Sequence, residues 1–241
     1  MLYEVHGSGE WLFLGPPLRA KPLSLTEDAQ RAALRGAYVD RLKDRYRLVV
    51  LDYPPTGDAA SIVAGMFTPD RVSADILTVA DALGADRFAW YGYSWGGVVG
   101  LQLVAASSRL TALVCGGWPP LDAPYEDLLA WGRLQHERTG LPDWKLSLSY
   151  YPPLVTASER EVLSRIRCPR LVFAGADDVV ESDGYGFRVG PLVAEHRREL
   201  EDMGWTVGLV PGERHDLFLR IDVVVDVLRQ FLDPLLVPGT T

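Results

Sequence analysis

Residues 88–97 read FAWYGYSWGG, a short apolar run that leads directly into a glycine-flanked serine, Ser94. The run 88–91 predicts a buried β-strand, and the apolar stretch 97–106 after the serine predicts a helix. The pattern Gly-x-Ser-x-Gly between a strand and a helix indicates a sharp turn that lifts the serine hydroxyl above the end of the strand. Glycines flank the serine because the chain doubles back there with no room for side chains. We therefore expect Ser94 to be an exposed nucleophile.

Short apolar runs alternate with helical patterns along the rest of the chain. Because these runs are continuously apolar, they are typical of parallel strands covered on both faces. Strand–helix repetition of this kind predicts an α/β fold with a mostly parallel, doubly wound sheet, whose ligands bind beyond the carboxyl ends of the strands. The predicted strands are residues 11–14, 48–51, 88–91, 113–115, 171–174 and 207–210, and the predicted helices are about 24–44, 72–83, 98–106 and 217–232.

One region interrupts this alternation. More than fifty residues separate the predicted strands at 113–115 and 171–174, and they are rich in aromatic side chains and prolines. A connection of that length is usually functional. We interpret it as a mostly helical cap, at about 117–166, inserted into a single domain that spans residues 1–241.

Composition excludes several classes of function. The chain has 241 residues, 48% of them hydrophobic, with a net charge of −8. A negative protein repels phosphate backbones, so we expect no nucleic-acid partner. No apolar stretch reaches membrane-span length, no secretory signal is visible, and the two cysteines predict buried thiols in a reducing cytoplasm. No metal or cofactor motif is present, so we expect a small-molecule substrate, no cofactor and no metal; a homodimer stays open.

A serine hydroxyl needs a base to take its proton. Of the four histidines, only His215 follows the final predicted strand, in the loop 211–215 (PGERH). The carboxyl ends of parallel strands share one edge of the sheet, so this loop can approach Ser94. We therefore predict His215 as the general base.

The base needs an acid that fixes its tautomer and stabilises the imidazolium. Residues 175–178 (GADD) follow the strand at 171–174, again at a carboxyl end. Asp178 is the preferred acid and Asp177 its close alternative, while Asp122 is a weaker candidate. The order Ser94, Asp178, His215 predicts a Ser–His–Asp triad.

These segments together resemble the α/β-hydrolase fold superfamily along nearly the whole chain. The resemblance rests on residues 3–9 (YEVHGSG) ahead of a strand, on the GYSWGG elbow at 92–97, and on the turns at 175–178 and 211–215. It implies the fold of that superfamily and a serine nucleophile. Members that are epoxide hydrolases or haloalkane dehalogenases place aspartate at the elbow, so Ser94 argues against them. The resemblance does not identify a substrate.

The predicted oxyanion hole departs from the family's pattern. Members pair the backbone N–H after the nucleophile, here Trp95, with an N–H from the loop after the strand at 11–14. Here Pro16 and Pro17 follow Gly15, where members typically carry His-Gly, and proline has no N–H to donate. Leu18, a later amide, or a side-chain donor from Tyr93 or Trp118 are the open alternatives. The residues predicted to line the substrate pocket are Gly15, Pro16, Tyr93, Trp118, Trp131 and Trp144.

The leading functional hypothesis is acyl transfer to water. The aromatic cap favours an apolar or aromatic ester, thioester or lactone of small to medium size. A non-hydrolytic lyase or cyclase that uses His215 as a base, and a ligand-binding protein without catalysis, stay open as alternatives.

Overall fold

The computed structural model describes residues 2–15, 25–53 and 63–236. Its strands are β1 Leu2–His6, β2 Glu10–Gly15, β3 Tyr46–Asp52, β4 Phe88–Tyr93, β5 Leu110–Gly116, β6 Arg170–Gly175, β7 Val180–Ser182, β8 Tyr185–Phe187 and β9 Trp205–Val210. Its helices are α1 Leu25–Leu42, α2 Pro69–Ala82, α3 Trp95–Ala106, α4 Tyr125–Thr139, α5 Trp144–Tyr150, α6 Pro152–Val155, α7 Glu159–Ser164, α8 Val189–Glu195, α9 Arg197–Asp202 and α10 Ile221–Leu236. Two 3₁₀ turns, Ala64–Met66 and His215–Leu219, complete the described elements.

Seven strands form one sheet in the order β1-β3-β2-β4-β5-β6-β9. Strand β1 is antiparallel to β3, and the other neighbouring pairs are parallel. The predicted mostly parallel α/β sheet is therefore confirmed. The antiparallel edge strand β1 and the small β7–β8 hairpin were not among the predicted strands.

The sheet is covered on both faces, as its continuous apolar strands predict. One face packs under α2 and α3 and includes Trp90 and Val98. The other packs under α1 and α10 and includes Leu48 and Leu228. Every residue of β4 is buried, because this strand lies in the middle of the sheet with helices on both sides. The serine is therefore attached to the most enclosed strand.

Helix boundaries follow ordinary capping chemistry. Helix α2 begins with Thr68, whose hydroxyl accepts a hydrogen bond from the Arg71 amide, and Pro69 occupies its first turn. Helix α4 ends at Gly140 in the left-handed conformation. The helix predicted at about 24–44 is α1, but the residues 16–24 that precede it lie outside the described part of the chain.

Helices α4 to α7 all lie between β5 and β6, so the segment 117–166 is mostly helical. We call it the helical segment. In the described ranges, none of the helices has both the length and the apolar character needed to cross a lipid bilayer.

Candidate active site

Ser94 sits at the turn between β4 and α3 with φ 53° and ψ −119°. A non-glycine residue with positive φ stores backbone strain of about 1–3 kcal/mol, and such strain clusters at functional sites. The turn is tight because a Cβ on Gly92 would overlap the carbonyl oxygen of Gly96. The Ser94 amide donates to the Gly116 carbonyl at 2.7 Å, which ties the turn to β5.

His215 begins the 3₁₀ turn that follows β9. Its Nε2 lies 3.1 Å from the Ser94 Oγ, at hydrogen-bond distance. Strand β9 is three positions away from β4 in the sheet, so the loop after it must reach across the ends of β6 and β5. The imidazole keeps 31% of its surface exposed, so it is accessible at the edge of the site.

Asp178 follows β6 and is completely buried. Its carboxylate lies 3.0 Å and 3.2 Å from the Nδ1 of His215. The Gly190 amide donates to the Asp178 carbonyl at 3.0 Å, which fixes the backbone of the turn. Asp177, the alternative acid, is exposed and does not occupy this position.

The loops that carry the acid and the histidine are in direct backbone contact. The Asp177 amide donates to the Glu213 carbonyl at 3.0 Å, and a Cβ on Gly175 would overlap that same carbonyl. Glycine at 175 therefore lets the two loops approach each other. This contact holds the imidazole of His215 over the carboxylate of Asp178.

The three side chains form one hydrogen-bonded series, from serine hydroxyl to imidazole to buried carboxylate. Such a series lets the imidazole take the serine proton while the carboxylate orients the ring and stabilises its positive charge. Because the Asp178 carboxylate is fully buried, solvent does not compete for its hydrogen bond with the imidazole.

A family model described as the alpha/beta hydrolase fold matches residues 35–150, which include the elbow. Solved structures match almost the whole chain. An esterase from Exiguobacterium antarcticum superposes with a TM-score of 0.68 at 16% identity, covering 95% of this chain and 94% of that one. The enol-lactonase from Burkholderia xenovorans LB400 gives 0.60 at 18% identity, covering 96% and 95%. The chain has the α/β-hydrolase fold. The fold implied by the resemblance is thus confirmed.

A curated relative, the putative carbamate hydrolase RutD of Caulobacter sp. (strain K31), is 28% identical over 176 residues. The match covers 58% of this chain and 66% of the relative. This similarity does not transfer the relative's substrate to this chain.

Trp95 is the first residue of α3, where the partial positive charge of a helix N-terminus favours an anion. Its side chain is 2% exposed. The indole stacks on Phe67 at 5.7 Å between ring centroids and meets Tyr150 edge-on at 5.3 Å. These two aromatic neighbours were not predicted as site residues. Tyr150 belongs to the aromatic-rich stretch of the sequence, whereas nothing in the sequence distinguishes Phe67.

Tyr93 packs toward the α1 and α10 face of the sheet in this α/β-hydrolase fold. Its ring lies 5.7 Å from the imidazole of His215 and 5.5 Å from Phe218. Burial, followed by the nearby negative charge of Asp178, raises the pKa of Tyr93 well above its ordinary value. Tyr93 therefore contacts the underside of the proposed base, on the opposite face of the sheet from Trp95.

The tryptophans predicted for the pocket belong to the helical segment and are distributed along it. Trp118 follows β5 and packs beside Tyr125 at 5.5 Å. Trp131 meets Trp144 edge-on at 4.9 Å and Phe187 at 5.9 Å. Their roles as pocket residues stay predictions.

Two further expectations concern the oxyanion hole and the alternative acid. Gly15 is the last described residue of its loop, so Pro16, Pro17 and Leu18 lie outside the described residues. Asp122 is engaged elsewhere, because its carboxylate pairs with His196 at 2.8 Å and with Arg160 at 3.6 Å.

Proposed function

We propose that this protein is a serine hydrolase that cleaves small to medium apolar or aromatic esters, thioesters or lactones. The observation that carries the proposal is the hydrogen-bonded series from Ser94 through His215 to Asp178, at 3.1 Å and 3.0 Å. In this assignment Ser94 is the nucleophile, His215 the general base and Asp178 the acid that orients the base.

The reaction follows from the geometry. The Ser94 Oγ attacks the substrate carbonyl carbon while its proton passes to the His215 Nε2. The tetrahedral intermediate collapses, the protonated imidazole gives its proton to the leaving oxygen or sulfur, and the acyl group stays on Ser94. Water then attacks the acyl carbon with His215 again acting as base, which releases the acid and restores the serine.

The Trp95 amide is the oxyanion donor in this proposal. It follows the nucleophile at the first residue of α3, the position at which an elbow of this kind presents its N–H to the developing negative charge. The helix N-terminus adds a favourable field for that charge.

The substrate class is supported by the aromatic character of the surroundings. Trp95, Phe67 and Tyr150 contact one another directly beside the nucleophile turn. An apolar acyl or alcohol group that packs against such aromatic side chains gains binding energy from the burial of its apolar surface. The names of the relatives, which include an esterase and an enol-lactonase, are consistent with acyl-bond cleavage.

The test is a serine-directed fluorophosphonate probe, with the labelled peptide mapped by mass spectrometry. We expect one labelled site, Ser94, and no labelling or p-nitrophenyl ester turnover in Ser94→Ala. Ser149→Ala is the matched control, since the Ser149 hydroxyl donates to the Lys145 carbonyl one turn away within α5. Unchanged turnover in Ser94→Ala would refute the assignment. Product formation without an acyl-enzyme burst would instead favour the lyase or cyclase alternative.

A further inference from the structure

Trp90 occupies an unusual position beneath the nucleophile turn. It lies in β4, four residues before Ser94, and is completely buried. Its indole Nε1–H donates a hydrogen bond to the carbonyl of Gly96 at 2.9 Å. Gly96 is the second residue of α3, so the indole of the strand is bonded to the first turn of the helix that follows it.

The space around Trp90 is made by glycines in two other elements. A Cβ on Gly100 of α3 would lie 2.6 Å from the Trp90 Cδ1 and 2.7 Å from its Nε1. A Cβ on Gly15, at the end of β2, would overlap the six-membered part of the same indole. The indole thus fills the volume between the end of β2 and the start of α3.

The carbonyl of Gly96 accepts the hydrogen bond of the Trp90 indole and lies close to the backbone of Gly92. Glycine at 92 permits this approach, since a Cβ there would overlap the carbonyl oxygen. The hydrogen bond therefore restrains the peptide group between Gly96 and Gly97 relative to β4, two peptide groups after the one that carries the Trp95 amide.

The first turn of α3 needs such a restraint. Its residues Gly96 and Gly97 are adjacent, and glycine is a weaker helix former than alanine because its backbone has more conformational freedom to lose. Ser94 is the N-cap residue, but its side chain caps no amide of α3 among the described residues, because the hydroxyl faces His215 instead. The N-cap hydroxyl of α3 therefore belongs to the active site and does not cap the helix.

We propose that Trp90 is a positioning residue for the oxyanion donor. Its indole N–H, bound to the Gly96 carbonyl, fixes the first turn of α3 and with it the direction of the Trp95 amide. This inference rests on the proposed function, in which that amide binds the oxyanion. Trp90 touches no reacting atom; it acts through the backbone from Trp95 to Gly96.

The test separates the N–H from the packing of the ring. Trp90→Phe removes the donor and part of the ring. Replacement of Trp90 by benzothienylalanine, introduced by codon suppression, removes the donor and keeps the shape. Trp205→Phe is the matched control, since Trp205 is nearly as buried as Trp90 and its indole N–H has no hydrogen-bond partner within the described ranges.

We expect both Trp90 variants to lower kcat for a p-nitrophenyl ester by about tenfold, with KM changed by less than about twofold, the size of effect expected for one weakened hydrogen bond. Inhibition by phenylboronic acid, whose serine adduct places a hydroxyl in the oxyanion position, should weaken by a similar factor. Trp205→Phe should change neither value, although both phenylalanine variants should lower the thermal midpoint.

Two results overturn the inference. One is a benzothienylalanine variant with unchanged kcat and unchanged boronic acid inhibition, which would leave Trp90 a packing residue only. The other is an equal loss in kcat and boronic acid affinity in Trp205→Phe. Failure of the proposed function would give a different result: Ser94 of the wild-type protein would not react with the fluorophosphonate probe.

Discussion

The described part of the chain contains two aspartate–histidine pairs, each built from an aspartate that follows a strand of the main sheet. Asp178 follows β6 and lies 3.0 Å from His215, and Asp122 follows β5 and lies 2.8 Å from His196. The distances are similar, but the surroundings are not. The Asp178 side chain is 0% exposed and that of Asp122 is 55% exposed.

The two pairs differ more in what the second nitrogen of each histidine contacts. The second nitrogen of His215 meets the Ser94 hydroxyl, whereas the second nitrogen of His196 meets the Glu199 carboxylate at 3.3 Å. Arg160 also pairs with both Asp122 and Glu199, which makes the second group an exposed ion-pair network. In this molecule, a hydroxyl at the second histidine nitrogen and a buried carboxylate are thus what distinguish the proposed catalytic pair from the exposed one.

The largest expected difference between the pairs is in turnover. Asp178→Asn keeps the shape of the acid but favours the wrong tautomer of His215, so kcat should fall by about 10⁴-fold, as in serine proteases with this change. Asp122→Asn should leave kcat within about twofold, because exposed ion pairs contribute little. Initial rates with a p-nitrophenyl ester measure both. Similar losses in the two variants would contradict the distinction drawn here.

Backbone strain also distinguishes the groups and gives the next largest effect. The strained residue is the proposed nucleophile Ser94 in the first group, with φ 53°, and Asp122 in the second, with φ 50°. Glycine relieves this strain, so Ser94→Gly should be more stable than Ser94→Ala by about 1 kcal/mol. The free energy of unfolding of Asp122→Gly should exceed that of Asp122→Ala by a similar amount.

Denaturant unfolding of the four variants tests this expectation. Comparing glycine with alanine at each position cancels the loss of the side chain's own contacts. Equal unfolding free energies within either pair would show that the turn relaxes when its side chain is removed, and that the positive φ is not a source of strain there.

The sequence predicts the first group better than the second because its signals are local. The motif at 92–96, the final strand before His215 and the order of the segments place the three side chains at one edge of the sheet. The choice between Asp177 and Asp178 is not local. It depends on which of two adjacent side chains turns inward, and the contacts that decide it come from Gly190 and Glu213.

Two other features depend on tertiary contacts in the same way. The β7–β8 hairpin has three-residue strands with no continuous apolar run, and its turn is held by Gln135 and Arg138 of α4 through Asp183. Trp90 reads as an ordinary buried strand residue in the sequence. Its bond to Gly96 depends on the doubling back of the chain at Ser94, which brings the helix over the strand.

The second group also includes Glu159, a carboxyl whose pKa is raised toward neutral pH. Glu159 accepts hydrogen bonds from the amides of Asp122, at 2.5 Å, and Ala123, at 3.0 Å. Burial raises the pKa of Glu159 from 4.5 to about 6, although the two amides and Arg160 oppose the shift. The Glu159 carboxyl therefore belongs to the network around Asp122 but is more enclosed than the other carboxylates of that network.

The smallest predicted effect follows from that shift. A raised carboxyl pKa means that the folded state binds the proton more tightly than the unfolded state, so the associated stability is present below about pH 4.5 and is lost as the pH rises through about 6. Glu159→Gln cannot bind this proton. The thermal midpoint of wild type relative to Glu159→Gln should therefore decrease over that interval, by a few degrees at most. Glu161→Gln, also on α7 but exposed, controls for the loss of one negative charge. If the midpoint of wild type relative to Glu159→Gln instead rose with pH, the prediction would be wrong. The charged form of Glu159 would then stabilise the helical segment.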